Sequence, residues 1–247
     1  MRDYAKEYLE NVQSILSEVL DTQLESIHTA ANWIVDATLA HKKLWAVGCG
    51  HAGLLAQELF YRSGGLVVMN PLFAPGLQLD VSPVTLTSDI ERIEGYGVKI
   101  IDRKEIGDGD VLIVHSVSGR NPATVDMATR ARERGAKVIA LTNMKYSSMS
   151  ASRHSSGKRL FECADLVLDN CGAVGDAAVQ VEGFGERSGP TSTAVGASIL
   201  NAIVCEAVGE FMRRGVTPPV FMSANLDGGD AHNKRVMDEY RDQIRYL

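Results

Sequence analysis

The sequence predicts a doubly wound α/β domain, and three observations carry that prediction. Short, continuously apolar runs recur at 44–47, 66–69, 111–115, 137–141 and 166–168. Runs this short and free of polar alternation suit strands covered on both faces, the habit of parallel sheets. Each run is followed by small or polar residues and then a helical segment, and strands alternating with helices place helices on both sides of a sheet. Finally, 247 residues with 45% hydrophobic content supply one core with a helical extension.

The elements follow in order. Residues 3–20 and 22–40 read as two helices, because Leu9, Val12, Ile15, Leu16 and Val19, then Leu24, Ile27 and Ile34, recur at helical spacing. The first apolar run leads into "GCGHAG" at 48–53, with a helix from Leu54, and the next three runs are followed by further loop and helix segments. A short run at 177–182 reads as an edge strand or a loop. A long apolar helix spans 191–214, stopped by Gly215 and then Pro218 and Pro219. The charged segment 230–246 reads as a last helix. With no repeat, low-complexity tract or linker, we expect one domain over 1–247: leading helices at 1–41, an α/β core at 42–224 and a C-terminal arm at 225–247.

Composition removes several classes of function. The net charge is −6 with no Lys/Arg cluster, so nucleic acid is not expected as a partner. No run of 18 apolar residues occurs and the first ten residues are polar and charged, which predicts neither a membrane span nor a secretory signal. Cys49, Cys163, Cys171 and Cys205 lack zinc-like spacing and read as reduced thiols of a cytoplasmic protein. Scattered histidines predict no metal and no cofactor, and the absence of G-x-S-x-G argues against a serine hydrolase.

Three strand exits carry the functional signal. "GCGHAG" fits G-x-G-x-x-G, where Gly48, Gly50 and Gly53 let backbone approach a ligand ahead of a helix N-terminus that favours an anion. A dinucleotide site also wants an acidic residue about 20 residues on. The second run ends instead in Asn70 and Pro71, with no carboxylate before Asp80, so a different phosphate is favoured. "HSVSGRNP" at 115–122 sets Ser116, Ser118, Gly119 and Asn121 at the third exit, as a phosphate cradle or as a turn with an N-cap. "LTNMKYSS" adds Asn143, Ser147 and Ser148 at the fourth. Three polar exits together point to one ligand site.

A glycine loop, S-x-S-G and Thr-Asn on successive strands resemble the sugar isomerase (SIS) domain. The resemblance runs over nearly the whole chain, with "GPTST" at 189–193, and is strongest to the UPF0309-type subgroup ending in "NLDGGDAHN", here 225–233. It implies a flavodoxin-like fold with a five-stranded parallel sheet, a phosphosugar ligand, and a homodimer or homotetramer. It also implies Thr191 and Ser192 as ligand contacts. Many SIS domains carry Ser where this chain has Ala52; His51 beside it either donates to the anion in compensation or is an exposed loop histidine.

Aldose–ketose isomerisation needs a base and an acid, commonly Glu and His. Glu58, in "LAQELF", resembles the Ala-x-Glu-Leu stretch that carries the base in phosphoheptose isomerases, about a turn closer to the loop; its bland reading is a salt bridge. That family's late-helix histidine has no counterpart in "STAVGASILNAI", where Thr193, Ser198 and Asn201 are the nearest polar residues. His232, in the first turn of the last helix, is the acid candidate or a surface histidine. Glu182, ahead of the late helix, is the third candidate. His115 reads as a support for the serine loop. The sequence thus leaves two functions open, a phosphosugar isomerase and a phosphosugar sensor, and the apolar surface of the leading and late helices predicts self-association.

Overall fold

A computed structural model describes residues 2–247 of the chain. Five parallel strands form its centre: β1 (Leu44–Gly48), β2 (Met69–Pro71), β3 (Val111–His115), β4 (Lys137–Thr142) and β5 (Leu166–Asp169). They stand in the order β2-β1-β3-β4-β5. Strand order therefore reverses between β1 and β3, the point where open α/β sheets bind ligands. The register sets Leu44 beside Val111 and Gly48 beside His115, so these two strands end level.

The period-two side chains divide between two layers. Leu44, Ala46, Val111, Ile113, Ile139 and Leu141 pack under α2 (Leu24–Leu39), α3 (Leu54–Leu59) and α8 (Ser192–Arg213). Trp45, Val47, Leu112, Val114, Val138 and Ala140 pack under α5 (Tyr96–Lys104) and α6 (Pro122–Glu133). By length and composition α8 would also suit a membrane span, but Val195, Ile199, Ile203, Ala207 and Phe211 form a buried stripe against the sheet, which accounts for the same composition. The leading helix α1 (Tyr4–Thr22) is capped by the Asp3 carboxylate, which accepts from the Lys6 N–H. Val19 is its one buried residue, while Leu9 and Leu20 remain exposed.

Three expectations are corrected. The second strand runs over Met69–Pro71 and not 66–69, because the residues before it spend their polar groups elsewhere. Leu66 forms an antiparallel bridge with Val220, and Val67 donates to the Pro219 carbonyl at 2.8 Å while accepting from Tyr246 Oη at 2.6 Å. At 177–182, β6 (Ala177–Gln180) pairs antiparallel with β7 (Arg187–Pro190) as a separate hairpin and joins no edge of the main sheet. The last helix, α9 (Gly229–Glu239), stops well short of Tyr246.

The segment beyond α9 is drawn across the sheet edge by one buried amide. Asn70 Nδ2 donates to the carbonyls of Leu44, Val68 and Gln243 at 3.0, 3.2 and 3.0 Å, and its Oδ1 accepts from Arg245 N–H at 2.6 Å. The residue that ends the second apolar run is thus spent on holding the C-terminal segment to β2. Asn70→Ala leaves several buried backbone groups unsatisfied and should cost about 3 kcal/mol. Urea denaturation measures this, and proteolysis should open 240–247 first.

Candidate functional site

The site is built where β1 and β3 end. Gly48 has no alternative there, since a Cβ would stand 2.4 Å from the carbonyl carbon and oxygen of Ala52. Gly50 takes φ +57°, and its N–H donates to the Leu77 carbonyl at 2.8 Å. A Cβ on Gly53 would meet Gln78 Oε1 at 2.8 Å. Gly48 therefore lets the loop fold back on itself, and Gly50 and Gly53 let residues 77–78 pack against it. This corrects one expectation: the Gly50 amide is already engaged and is not presented to a phosphate. His51 is exposed on the 3₁₀ turn Gly50–Gly53.

The β3 exit is open by comparison. Thr142 Oγ1 donates to the carbonyls of Ser116 and Val117 at 2.7 and 3.1 Å, and the Asn143 N–H donates to Val117 at 3.1 Å, which fixes the loop to the tip of β4. The Ser116 hydroxyl accepts from the Gly119 N–H at 3.3 Å. Gly119 stands at φ +59°, and a Cβ there would lie 2.7 Å from Ser147 Oγ. Among the described residues the Ser118 hydroxyl and the N–H groups of Val117 and Ser118 have no partner. They stand ahead of the N-terminus of α6, a 12-residue helix with Pro122 in its first turn, where the helix dipole favours an anion. Arg120 brings a guanidinium whose Nε is buried without a partner.

Sequence reasoning missed Glu91, which follows the short helix α4 (Leu86–Ile90). Its carbonyl accepts from the Ala123 N–H at 3.0 Å. Burial raises the pKa of its carboxyl group, partly offset by the nearby Asn121 side chain and by Arg92 and Arg153. Burial pushes the Cys49 thiol up, and the charge of Glu91 adds to that shift. Asn121 Oδ1 accepts from Arg153 Nη1 at 2.9 Å. Arg153 belongs to a strap, residues 151–159, which is tied down by its N–H to the Arg120 carbonyl at 2.9 Å and by His154 Nε2 to Asp126 Oδ1 at 3.1 Å. Nothing in "SDIERIEG" marks Glu91 in one sequence; only the packing of 86–95 against α6 does.

Beneath the exits lies a buried polar layer. The Asn143 side chain caps α7 (Met144–Met149) through Tyr146 N–H at 2.7 Å and donates to Asn170 Oδ1 and the Gly172 carbonyl at 2.9 and 2.7 Å. It is a structural pivot with no capacity left for a ligand. Ser147 is buried with its hydroxyl unpaired, whereas the exposed Ser148 returns its hydroxyl to the Met144 carbonyl. Asp176 holds the start of α8, accepting from the N–H groups of Thr191 and Ser192 at 3.1 and 2.8 Å and from Ser192 Oγ at 2.7 Å. Thr191 Oγ1 is buried and unpaired. His115 Nδ1 lies 3.2 Å from the Ala52 carbonyl. A carbonyl only accepts, so Nδ1 carries the proton and the unpaired, buried Nε2 is an acceptor. Burial lowers the His115 pKa to about 4, opposed by the Ala52 carbonyl and by Asp176.

The three proposed acid–base residues do not meet there. Glu58 Oε1 accepts from Asn201 Nδ2 of α8 at 2.9 Å and is ion-paired with Arg62. His232 Nε2 lies 3.0 Å from the Val220 carbonyl, in the arm beside the entry to β2. Glu182 is exposed in the turn between β6 and β7, its N–H donating to Tyr4 Oη at 3.1 Å.

A family model described as the SIS domain matches residues 7–143. A UPF0309 protein of Shouchella clausii is 48% identical over 244 residues, spanning 99% of each chain. Among solved structures, a phosphoheptose isomerase from Francisella tularensis is similar with a TM-score of 0.55 at 17% identity, covering 83% of this chain and 96% of that one. The Vibrio vulnificus NanR protein complexed with ManNAc-6P is similar with a TM-score of 0.52 at 15% identity, covering 98% and 70%. The two structural likenesses are likenesses of fold. The chain belongs to the SIS domain family.

His115 makes stability depend on pH. Folded, its imidazole takes a proton only near pH 4, against an ordinary value of 6.5. Between those values the unfolded chain binds more protons, so stability is complete above the ordinary value and falls as pH drops toward the lower one. The loss reaches about 3 kcal/mol. Urea midpoints measured at pH 7 and 4.5 should separate less in His115→Gln than in the wild type.

Proposed function

We propose that this SIS domain protein binds the phosphate ester of a sugar at the β3 exit and interconverts aldose and ketose forms of it. The observation that carries the reading is the set of unspent donors: the Ser118 hydroxyl and the Val117 and Ser118 N–H groups, held by Thr142 at the head of α6. Backbone N–H groups at a helix N-terminus are a phosphate site in themselves. A phosphoheptose isomerase among the structural neighbours gives a precedent for the reaction on this fold.

Glu91 is the best-placed base. A carboxyl group with a raised pKa suits transfer of a carbon-bound proton. In the open-chain aldose, the carboxylate takes the proton from C2, the carbonyl oxygen gains a proton, and an enediol forms. The same carboxyl group then returns the proton to C1 while the C2 hydroxyl releases its proton to water, which balances the one gained at O1 and gives the ketose with no external oxidant or reductant. Glu58, already shared between Arg62 and Asn201, then serves to pin α3 to α8. Exposed Leu9, Leu20 and Leu24 support self-association as a homodimer, for which light scattering at micromolar concentration should give about twice the chain mass.

A panel of pentose, hexose, heptose and N-acetylhexosamine phosphates should contain at least one pair that the protein interconverts. Glu91→Gln should lower kcat at least about 100-fold with little change in Kd. Ser118→Ala should weaken binding about tenfold, the loss of one hydrogen bond to a charged group. Binding across the panel without turnover would assign the protein to sensing. The structural neighbour NanR is complexed with ManNAc-6P, a precedent for holding a sugar phosphate on this fold.

A further inference from the structure

On the far side of the first glycine loop lies a cleft of about 780 Å³ that the phosphate reading does not use. It is lined by Gln57, Phe60 and Tyr61 from α3 and the turn after it, and by Phe73, Gln78 and Asp80 from the chain beyond β2. Its aromatic rings are propped from behind. Phe60 meets Phe73 edge-on at 5.8 Å and Tyr246 at 4.9 Å, and Tyr61 meets Phe221 at 5.2 Å. Despite this support Tyr61 is 62% exposed and Phe73 is 43% exposed. Tyr61 also has φ +45°, a region that bulky side chains seldom occupy. The turn after α3 thus holds an aromatic ring at the surface at a cost in backbone energy.

We infer that this cleft binds a neutral sugar ring. No Lys, Arg or His lines it, and its one charged group is the Asp80 carboxylate, so an anion is disfavoured. The carboxamides of Gln57 and Gln78 and the Asp80 carboxylate offer donors and acceptors matched to hydroxyl groups. The rings at Tyr61 and Phe73 offer flat apolar surface for the C–H face of a pyranose, at low entropic cost because each ring has few rotamers. The volume lies within the range of small-ligand sites. Gln78 is buried, with Nε2 3.5 Å from the Gly48 carbonyl, and forms the partition between the cleft and the β1 exit. The chain therefore offers two sites of opposite character on either side of its glycine loop, one for an anion and one for an uncharged ring.

The inference stands apart from the phosphate reading, and its test separates the two. Methyl pyranosides of glucose, galactose, mannose and N-acetylglucosamine, at millimolar concentration, are tested by saturation-transfer NMR and calorimetry with the full chain. At least one should bind, with affinity reduced tenfold or more by Phe73→Ala and also reduced by Asp80→Asn. Both side chains are exposed, so circular dichroism should be unchanged. Ser118→Ala should leave this binding unaltered. Failure of all four glycosides, binding that survives Phe73→Ala, or binding confined to phosphorylated sugars would overturn the proposal. So would a fall in oligomeric mass on Phe73→Ala, which would make the cleft a contact between copies.

Discussion

The level ending of β1 and β3 is the constraint on which the rest of the molecule depends. Gly48 and His115 stand side by side, and the bond from His115 Nδ1 to the Ala52 carbonyl ties the first loop to the third strand. Any side chain on Gly48 would drive Ala52 away and break that tie. With the two tips joined, the chain after β1 has to leave upward as α3, the chain after β3 has to leave as α6, and the space between their exits is where polar groups are left over. The site is thus a by-product of register: hydrophobic pairing inside the sheet decides where free N–H groups appear at its rim.

Much of this was legible in the sequence, and the failures have physical causes. The runs at 44–47, 111–115, 137–141 and 166–168 formed strands because both of their faces are covered, and a continuously apolar run has no other comfortable place. The run at 66–69 carried the same signal, yet Leu66 and Val67 pair with Val220, Pro219 and Tyr246. An apolar run records burial, not which partner provides it. For the same reason the segment after α9 kept a helical look while serving as a strap across Asn70.

The site was read more coarsely than the fold. That the polar exits lie together is implied by strand order, but what each polar group does depends on contacts made by residues far along the chain. Asn143 and Ser192 look like ligand contacts in the sequence and are consumed by Asn170, Gly172 and Asp176. Gly50 looks like an anion donor and is consumed by Leu77. Glu91 looks like any charged residue of an amphipathic turn, and acquires its raised pKa only through burial in the folded chain.

Asn121 has a role that reaches beyond its position at the head of α6. Its Oδ1 accepts from the Arg153 guanidinium, and its side chain also favours the charged form of Glu91. An uncharged group so placed serves a cation and a carboxylate at once without adding a charge of its own. It anchors the strap at Arg153 by a direct bond and partly offsets the effect of burial on Glu91. A chain with a smaller residue there would lose one tether of the strap and leave the burial of Glu91 less opposed.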